Sequence, residues 1–446
     1  MRVASLGACL LAVAVLGAGS GAAGAGSSGA FVTRSGTNLL LDGQPYRFGG
    51  ANVEWLGLAG YGPADPAGPH YPSHYEIDDA LATARELGAA VVRSQTMGDS
   101  VGCAPCLEPA LGRFNEAAFE RIDYALASAR RHGIRIVATL VGDDAADGGA
   151  GCVYLAWRNI DVPDCSLSNM DPFFTDPQLI ADVEQHIRAL LEHVNAYTHV
   201  AYKNDPTILG WDLMNGGGSP PAWTKTIADY IRAIDRRHLI LSDASNAGLK
   251  NVDACVSFVY AHWHQGYAGF AKPRIDACAR SNKPYIAYEY GWDRTNVPSL
   301  APFLRTLLMN RAVAGDAFWA LEAHAPDGGW RPLPAPVADP QLAATEESGE
   351  WWALYYPGRA TRVNTAADMA ARAQAIRRHN YAMAGRRVPP HAIPPPPQIL
   401  STSPLRWRGS AGAARYVVER SGKVVRVFAV NLDGKRSRAS IATVRP

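Results

Sequence analysis

The chain has 446 residues, 48% of them hydrophobic and 19% charged, with a formal net charge of +2. That length accommodates one large α/β barrel and a small appendage, and the composition is globular rather than disordered. There is no block of basic residues, so neither nucleic acid nor an anionic membrane surface is expected as a partner.

Residues 1–25 read as an export signal. Arg2 gives a thin positive start, Leu6 to Leu16 is apolar, and Ala23-Gly24-Ala25 supplies small residues at a cleavage position. The apolar run is shorter than the roughly 20 residues of a membrane span. A secreted protein, extracellular or periplasmic, is therefore expected, and the six cysteines beyond the signal fit an oxidising destination. These are Cys103, Cys106, Cys152, Cys165, Cys255 and Cys278. Six cysteines allow about 15 pairings, and proximity favours 103–106, 152–165 and 255–278. Cys103-Ala104-Pro105-Cys106 has no thioredoxin-like βαβ surroundings, so a loop staple is expected there rather than a redox centre.

Alternation of apolar and polar residues from Phe31 to Phe48 around Asp42-Gly43 predicts a hairpin. A strand-then-helix rhythm follows. Candidate strands are Arg47–Val53, Ala90–Ser94, Arg135–Val141, Ile208–Asn215, His238–Ser242, Val256–His262, Tyr285–Tyr290 and Ala317–Leu321. Several are continuous apolar runs, as in a parallel sheet covered on both faces. The clearest helix starts at Asp176-Pro177, a cap followed by proline in the first turn. Ile180, Val183, Ile187, Leu190 and Val194 then fall at three- and four-residue spacing and mark its inward face. Eight strand–helix units predict an α/β fold of the (β/α)₈ type, a TIM barrel. A doubly wound nucleotide-binding sheet is disfavoured, because Gly49-Gly50 does not make a glycine-rich phosphate turn.

The barrel is expected over residues 26–383, closing with the helix Ala366–Met383. A proline-rich linker, residues 384–399, carries Pro394–Pro397 and reads as stiff and extended. Residues 400–446 have β character at Tyr416–Glu419, Val424–Asn431 and Ala439–Val444. They resemble the beginning and end of a fibronectin type III module, with Arg426–Asn431 matching its penultimate strand. A complete sandwich of that kind takes about 100 residues, so a truncated remnant is expected, docked elsewhere or loosely folded.

In such a barrel the functional groups sit at the carboxyl ends of the strands. Those ends carry Asn52 with Trp55 beyond, Arg93, Asp143-Asp144, Asn215-Gly216, then Tyr260, His262 and His264, then Glu289, and finally Trp319 and Glu322. Polar and aromatic residues from strands so far apart in sequence are hard to explain by packing alone.

These positions resemble glycoside hydrolase family 5, in particular its endo-β-1,4-mannanase branch. The resemblance rests on Phe48-Gly49-Gly50-Ala51-Asn52, Val91-Val92-Arg93-Ser94, Leu111-Gly112-x-Phe114-Asn115-Glu116 and Phe173-Phe174-Thr175-Asp176-Pro177. Its most specific piece is Asp205-Pro206-Thr207-Ile208 followed by Trp211-x-Leu213-x-Asn215. It implies a retaining double displacement on a β-mannan-type polysaccharide or oligosaccharide, with no cofactor and no metal, by a monomer. Glu289 matches the nucleophile, and Arg93 would hold its carboxylate ionised. Asn215 matches the contact to the sugar 2-hydroxyl, His262 the histidine of the sixth strand, and Trp319 the aromatic floor of the sugar site. His264 stands where the family more often has tyrosine, and Trp55 and Trp263 would extend the aromatic platform.

One position departs from the pattern. The acid/base glutamate that should follow Asn215 is Gly216, and the next residues run Gly217-Gly218-Ser219-Pro220 where the family usually continues with proline and arginine. Asp212 lies too early on its strand to substitute; Asp143, Asp144, Glu322 and His264 are the conceivable replacements. A general acid contributes roughly 10²–10⁴ in rate, against enhancements of about 10⁶–10¹⁷ for whole enzymes. Two principal functions follow: a glycosidase that is weak or uses a displaced acid, and a non-catalytic carbohydrate-binding protein on the same scaffold. A transglycosylase, or a hydrolase of another linkage, would also fit the rebuilt loop.

Overall fold

The computed structural model describes residues 29–60, 68–142, 150–163, 167–216, 218–260, 266–292, 300–332, 352–361 and 363–444. Eight parallel strands close into a barrel: β4 (Phe48–Asn52), β5 (Val91–Ser94), β6 (Arg135–Thr139), β7 (Ile208–Asp212), β8 (Leu239–Asp243), β9 (Ala254–Val259), β10 (Tyr285–Tyr290) and β11 (Val313–Phe318). The expected strand order is thus realised. The last strand starts earlier than its apolar run suggested, and β7 ends at Asp212, leaving Asn215 in the turn beyond it.

Every barrel strand except β8 and β9 is buried throughout, because helices cover the outside while side chains fill the inside. Val91, Val137, Leu209, Leu239, Leu241, Val256, Ile286 and Tyr288 make up the interior. Val32 and Leu39 join them from the N-terminal sheet of β1 (Val32–Ser35), β2 (Asn38–Leu41) and β3 (Gln44–Tyr46), which stoppers the barrel at the end away from the site. The predicted turn at Asp42-Gly43 is a two-residue hairpin loop between Leu41 and Gln44, with φ of 51° and 74°. At Gly49 an added Cβ would come within 2.2 Å of Asn380. That glycine therefore serves close packing of the barrel against its last helix.

The outer layer includes α1 (His74–Glu86), α2 (Glu116–His132), α3 (Ala150–Trp157), α4 (Asp171–Thr175), α5 (Pro177–Glu192), α6 (Pro221–Ile234), α7 (Tyr267–Arg280), α8 (Leu300–Met309) and α9 (Ala366–Met383). Helix α5 is capped as expected, Asp176 accepting from the Gln178 N–H. The expected inward Val194 is a correction. The helix stops at Glu192, His193 leaves helical geometry with ψ of 136°, and Val194 is 56% exposed. Helix α9 has the predicted bounds and a Thr365/Asp368 capping box.

Disulfides join Cys103 to Cys106 within one loop, and Cys255 of β9 to Cys278 of α7. The expected partner of Cys152, Cys165, lies outside the described residues, as do residues 1–28 with the proposed signal. No described helix is long and apolar enough to cross a membrane.

After α9 the proline-rich segment is bound along the barrel. Arg377 donates to the Pro389 carbonyl at 2.9 Å, and His391 contacts Glu86 at 3.0 Å. The C-terminal residues form a two-stranded sheet, β12 (Ile399–Thr402) with β13 (Leu405–Trp407), and a three-stranded one, β14 (Arg415–Ser421), β15 (Val424–Val430) and β16 (Ser440–Thr443). These sheets are docked on the barrel. Tyr75 donates to the Gly409 carbonyl at 3.0 Å, and Arg408 to that of Pro326 at 2.5 Å.

Candidate active site

Arg93 organises the mouth of the barrel. It rises from β5 with 1% exposure and divides its two terminal nitrogens among four acceptors. Nη1 donates to Glu289 Oε2 at 2.9 Å and to Asn52 Oδ1 at 3.2 Å; Nη2 donates to Asp212 Oδ2 at 3.1 Å and to Asn215 Oδ1. Its plane also lies 4.2 Å from the Tyr288 ring centre. Burial works against the guanidinium charge, but Tyr288, Asp212 and Glu289 outweigh it and raise the pKa. The site is therefore built around a permanent cation.

Glu289 reaches that cation because β10 is irregular. Along this strand Tyr285, Ala287 and Tyr290 face the helical layer while Ile286 and Tyr288 face the interior. Strict alternation would send Glu289 outward. Pairing slips between Ala287 and Glu289 against β9, and between Ala287 and Tyr290 against β11. The resulting bulge turns the carboxylate inward.

Its second oxygen, Oε1, accepts from the Tyr260 hydroxyl at 2.6 Å. Of the two carboxylates on Arg93, only Glu289 keeps access to the cleft: its side chain is 10% exposed against 0% for Asp212. Asp212 is also bound by Thr139 Oγ1 at 2.9 Å, and burial raises its pKa in spite of Arg93. It is a support inside the barrel, as its position on the strand suggested.

Asn52 ties the frame to the chain. Its Nδ2 donates to the carbonyls of Tyr288 and Phe318, each at 3.2 Å, while its oxygen receives Arg93. Asn215 is fixed by its own N–H, which donates to the Val141 carbonyl at 2.8 Å. Trp319 follows β11 with its side chain half-buried, and the Trp319–Ala320 peptide is cis.

Gly216 is exposed at the mouth with φ of 72°, and Gly218 has φ of 116°. Both angles lie where residues with side chains are disfavoured. The turn at Asn215-Gly216 thus has a backbone that suits glycine rather than a glutamate.

Trp55 sits elsewhere than on an open platform. It is 3% exposed within the core, and Arg331 covers its ring at 3.9 Å. Glu322 belongs to this same buried group. Burial drives its pKa up to about 8; Arg331 opposes that, Glu54 adds to it, and Arg359 opposes it. Asp143, Asp144, His262, Trp263 and His264 lie outside the described residues.

Two contributors to the site have weak sequence signals. Tyr260, visible only as a strand end, donates directly to Glu289. Trp352 sits beside it with ring centres 5.6 Å apart, and its carbonyl accepts from the Ala320 N–H at 3.1 Å. It ends none of the strands expected from the sequence and belongs to no periodic pattern, so only the folded chain reveals its place. Among the described residues no group of three or more His, Cys, Asp or Glu side chains could hold a metal ion.

The closed (β/α)₈ barrel thus gathers a cation-held carboxylate and aromatic side chains at the carboxyl ends of its strands, where barrel enzymes carry their active sites. A family model described as glycoside hydrolase family 5 beta-mannosidase-like matches residues 29–267, and the chain belongs to that family. Glu289 lies beyond the matched stretch, so its place in the site rests on the geometry above.

Among its relatives, mannan endo-1,4-beta-mannosidase 1 of Oryza sativa subsp. japonica is 32% identical over 241 residues, 52% of this chain and 53% of the relative. Mannan endo-1,4-beta-mannosidase 7 of Arabidopsis thaliana is 35% identical over 222 residues, 48% of each chain. The chain spans about half the length of the curated relatives it matches. The solved endo-1,4-beta-mannanase of Rhizomucor miehei superposes with a TM-score of 0.60 at 22% identity, covering 80% of this chain and 100% of that one. The endo-1,4-beta-D-mannanase of Thermotoga petrophila RKU-1 gives 0.59 at 22%, covering 76% and 99%. At these identities the structural likeness concerns the fold.

Proposed function

We propose that the protein is an exported, retaining glycoside hydrolase directed at β-mannan or a closely related β-linked polysaccharide, with Glu289 as its nucleophile. The observation that carries this is the state of Glu289. One oxygen is held by Arg93, the other by Tyr260, and the carboxylate keeps its opening to the cleft.

In the first step a Glu289 oxygen attacks the anomeric carbon while the bond to the leaving oxygen breaks, giving a glycosyl ester. Water then attacks the same anomeric carbon and breaks its bond to Glu289, which restores the carboxylate; with glycine at 216, the proton lost by that water passes to solvent. Two hydrogen-bond donors stabilise the ionised nucleophile, and Asn215, immobilised by Arg93, is placed to meet the 2-hydroxyl. Trp319 supplies a flat apolar surface for a pyranose ring.

Gly216 supplies no proton. The leaving oxygen must depart as an anion, or take its proton from water or from another group at the mouth. The mannan direction is drawn from the family and from the two plant relatives named above; export is drawn from the composition of residues 1–25 and the cysteine pairs. A non-catalytic sugar-binding role is the second reading, and the open, acid-free turn at Gly216 is what favours it.

An activated aryl β-mannoside separates the two. Turnover that disappears in Glu289→Ala supports hydrolysis through Glu289. Mannan binding with no product from any substrate supports the binding role.

A further inference from the structure

A second concave surface lies where the C-terminal sheets meet the barrel. It is an open groove of about 420 Å³ between the loop after β11 and the segment from β13 to β14. Three half-buried aromatic residues line it: Trp330 on the barrel side, Trp407 and Tyr416 on the other. Asp327, Arg406 and Arg415 are exposed along it.

Its walls are fixed. Trp330 stacks on His324 with ring centres 3.9 Å apart, and His324 Nδ1 lies 2.9 Å from Asp79 of α1. Trp407 and Tyr416 pack at 5.5 Å, and the Tyr416 oxygen accepts from the Ser410 N–H at 2.8 Å. The seam beneath is tight. An added Cβ at Gly409 would meet the His324 ring at 2.0 Å, and one at Gly328 would meet the Trp407 carbonyl at 2.9 Å. The two halves therefore form one surface.

The barrel wall of this groove is continuous in sequence with the site. The loop that carries His324 and Trp330 continues directly from Trp319, and it is anchored to the first half of α1, the helix that follows β4.

We propose that the groove binds a distal stretch of the same polysaccharide that enters the cleft, several sugar units from the bond to be cleaved. The chemistry matches a neutral β-1,4-linked hexopyranosyl chain. Flat apolar rings suit pyranose C–H faces, while guanidinium and carboxylate groups suit pairs of adjacent hydroxyls. The short barrel-edge sheets then have a purpose: they supply one wall of a polymer-holding surface. For the identity of the sugar this rests on the mannan reading above.

The test uses the full chain carrying Glu289→Gln to prevent cleavage, with and without Trp407→Ala or Arg415→Ala, in electrophoresis through gels containing galactomannan. The same two groove substitutions are made in the unmodified chain and assayed on an aryl β-mannoside, which is too short to reach the groove. Weaker retardation by about three- to tenfold in affinity, with unchanged aryl mannoside turnover, supports the proposal. Unchanged retardation in both groove variants, while Trp319→Ala abolishes it, overturns the groove and leaves the cleft reading intact. If the Glu289→Gln chain itself is not retarded, mannan is the wrong polymer, and the groove falls with it as a mannan site. Arg415 is exposed, so its removal keeps the test valid if Trp407→Ala does not fold.

Discussion

Arg93 and Glu289, 196 residues apart in sequence, meet at 2.9 Å with the arginine almost wholly buried. The same guanidinium binds Asp212, so one cation serves two carboxylates. Arg93→Met leaves both of them, Asp212 inside the barrel and Glu289 at its mouth, without that counter-charge. A destabilisation of about 3–5 kcal/mol is expected, read as a lowered denaturant midpoint. Arg93→Lys keeps the charge but cannot fork to both partners. It should retain most of the stability yet lose on the order of 10²-fold in kcat/KM through misplacement of Glu289.

Tyr260 acts through Glu289. Tyr260→Phe removes the 2.6 Å donor while leaving the ring against Trp352. A hydrogen bond to a charged group contributes about 1.5–3 kcal/mol, so a loss of roughly 10- to 100-fold in kcat is expected. The donor favours the ionised carboxylate. Without it the acidic limb of the kcat/KM profile should move to higher pH. A purely structural tyrosine would lower stability and leave that limb in place.

Gly216 sets the dependence on leaving group. Cleavage of a 2,4-dinitrophenyl β-mannoside, whose leaving group needs no proton, should exceed that of an unactivated mannoside by far more than in a family member with its acid in place. The excess is expected to be about 10²–10⁴, measured as the ratio of the two kcat/KM values. Restoring one side chain should not repair this. At φ of 72° a glutamate is strained, so Gly216→Glu is expected to cost about 1 kcal/mol of stability. Its gain in activity should remain small unless the turn through Gly218 is rebuilt with it.

Glu322 makes stability depend on pH. Burial holds its folded pKa near 8, above the ordinary glutamate value of 4.5. Between those values the folded chain keeps a proton that the unfolded chain has released, so the Glu322 contribution to stability falls as pH rises through that window. Glu322→Gln removes the ionisation. The variant should gain thermal stability over the unmodified chain at pH 8–9, and the gain should vanish near pH 4. An equal difference at both pH values would rule out Glu322 as the source.

The barrel was readable in the sequence because its strands are short apolar runs, recurrent and separated by helices with clear caps such as Asp176-Pro177 and Thr365. The strand-end list also anticipated Arg93, Asn215 and Glu289, since polar residues ending apolar strands stand out. Periodicity could not show how Glu289 is aimed. Alternation along Tyr285–Tyr290 points it the wrong way, and only the bulge against β9 reverses that. Trp55 shows the opposite failure. Being aromatic and next to a strand end suggested a sugar platform, but the buried Arg331 covers its face. Trp352 and the docking of the C-terminal sheets arise from long-range contacts that no local pattern records.

The proposed chemistry turns on Glu289 as a nucleophile, and trapping tests that most directly. A 2-deoxy-2-fluoro-β-mannosyl fluoride needs no general acid for its leaving group, so Gly216 does not interfere. Attack by Glu289 expels fluoride and forms an ester that turns over slowly. Mass spectrometry of the digested protein should then show the fluorosugar on the peptide containing Glu289, and none in Glu289→Gln. A chain that remains unmodified, or one labelled at a different residue, would contradict it.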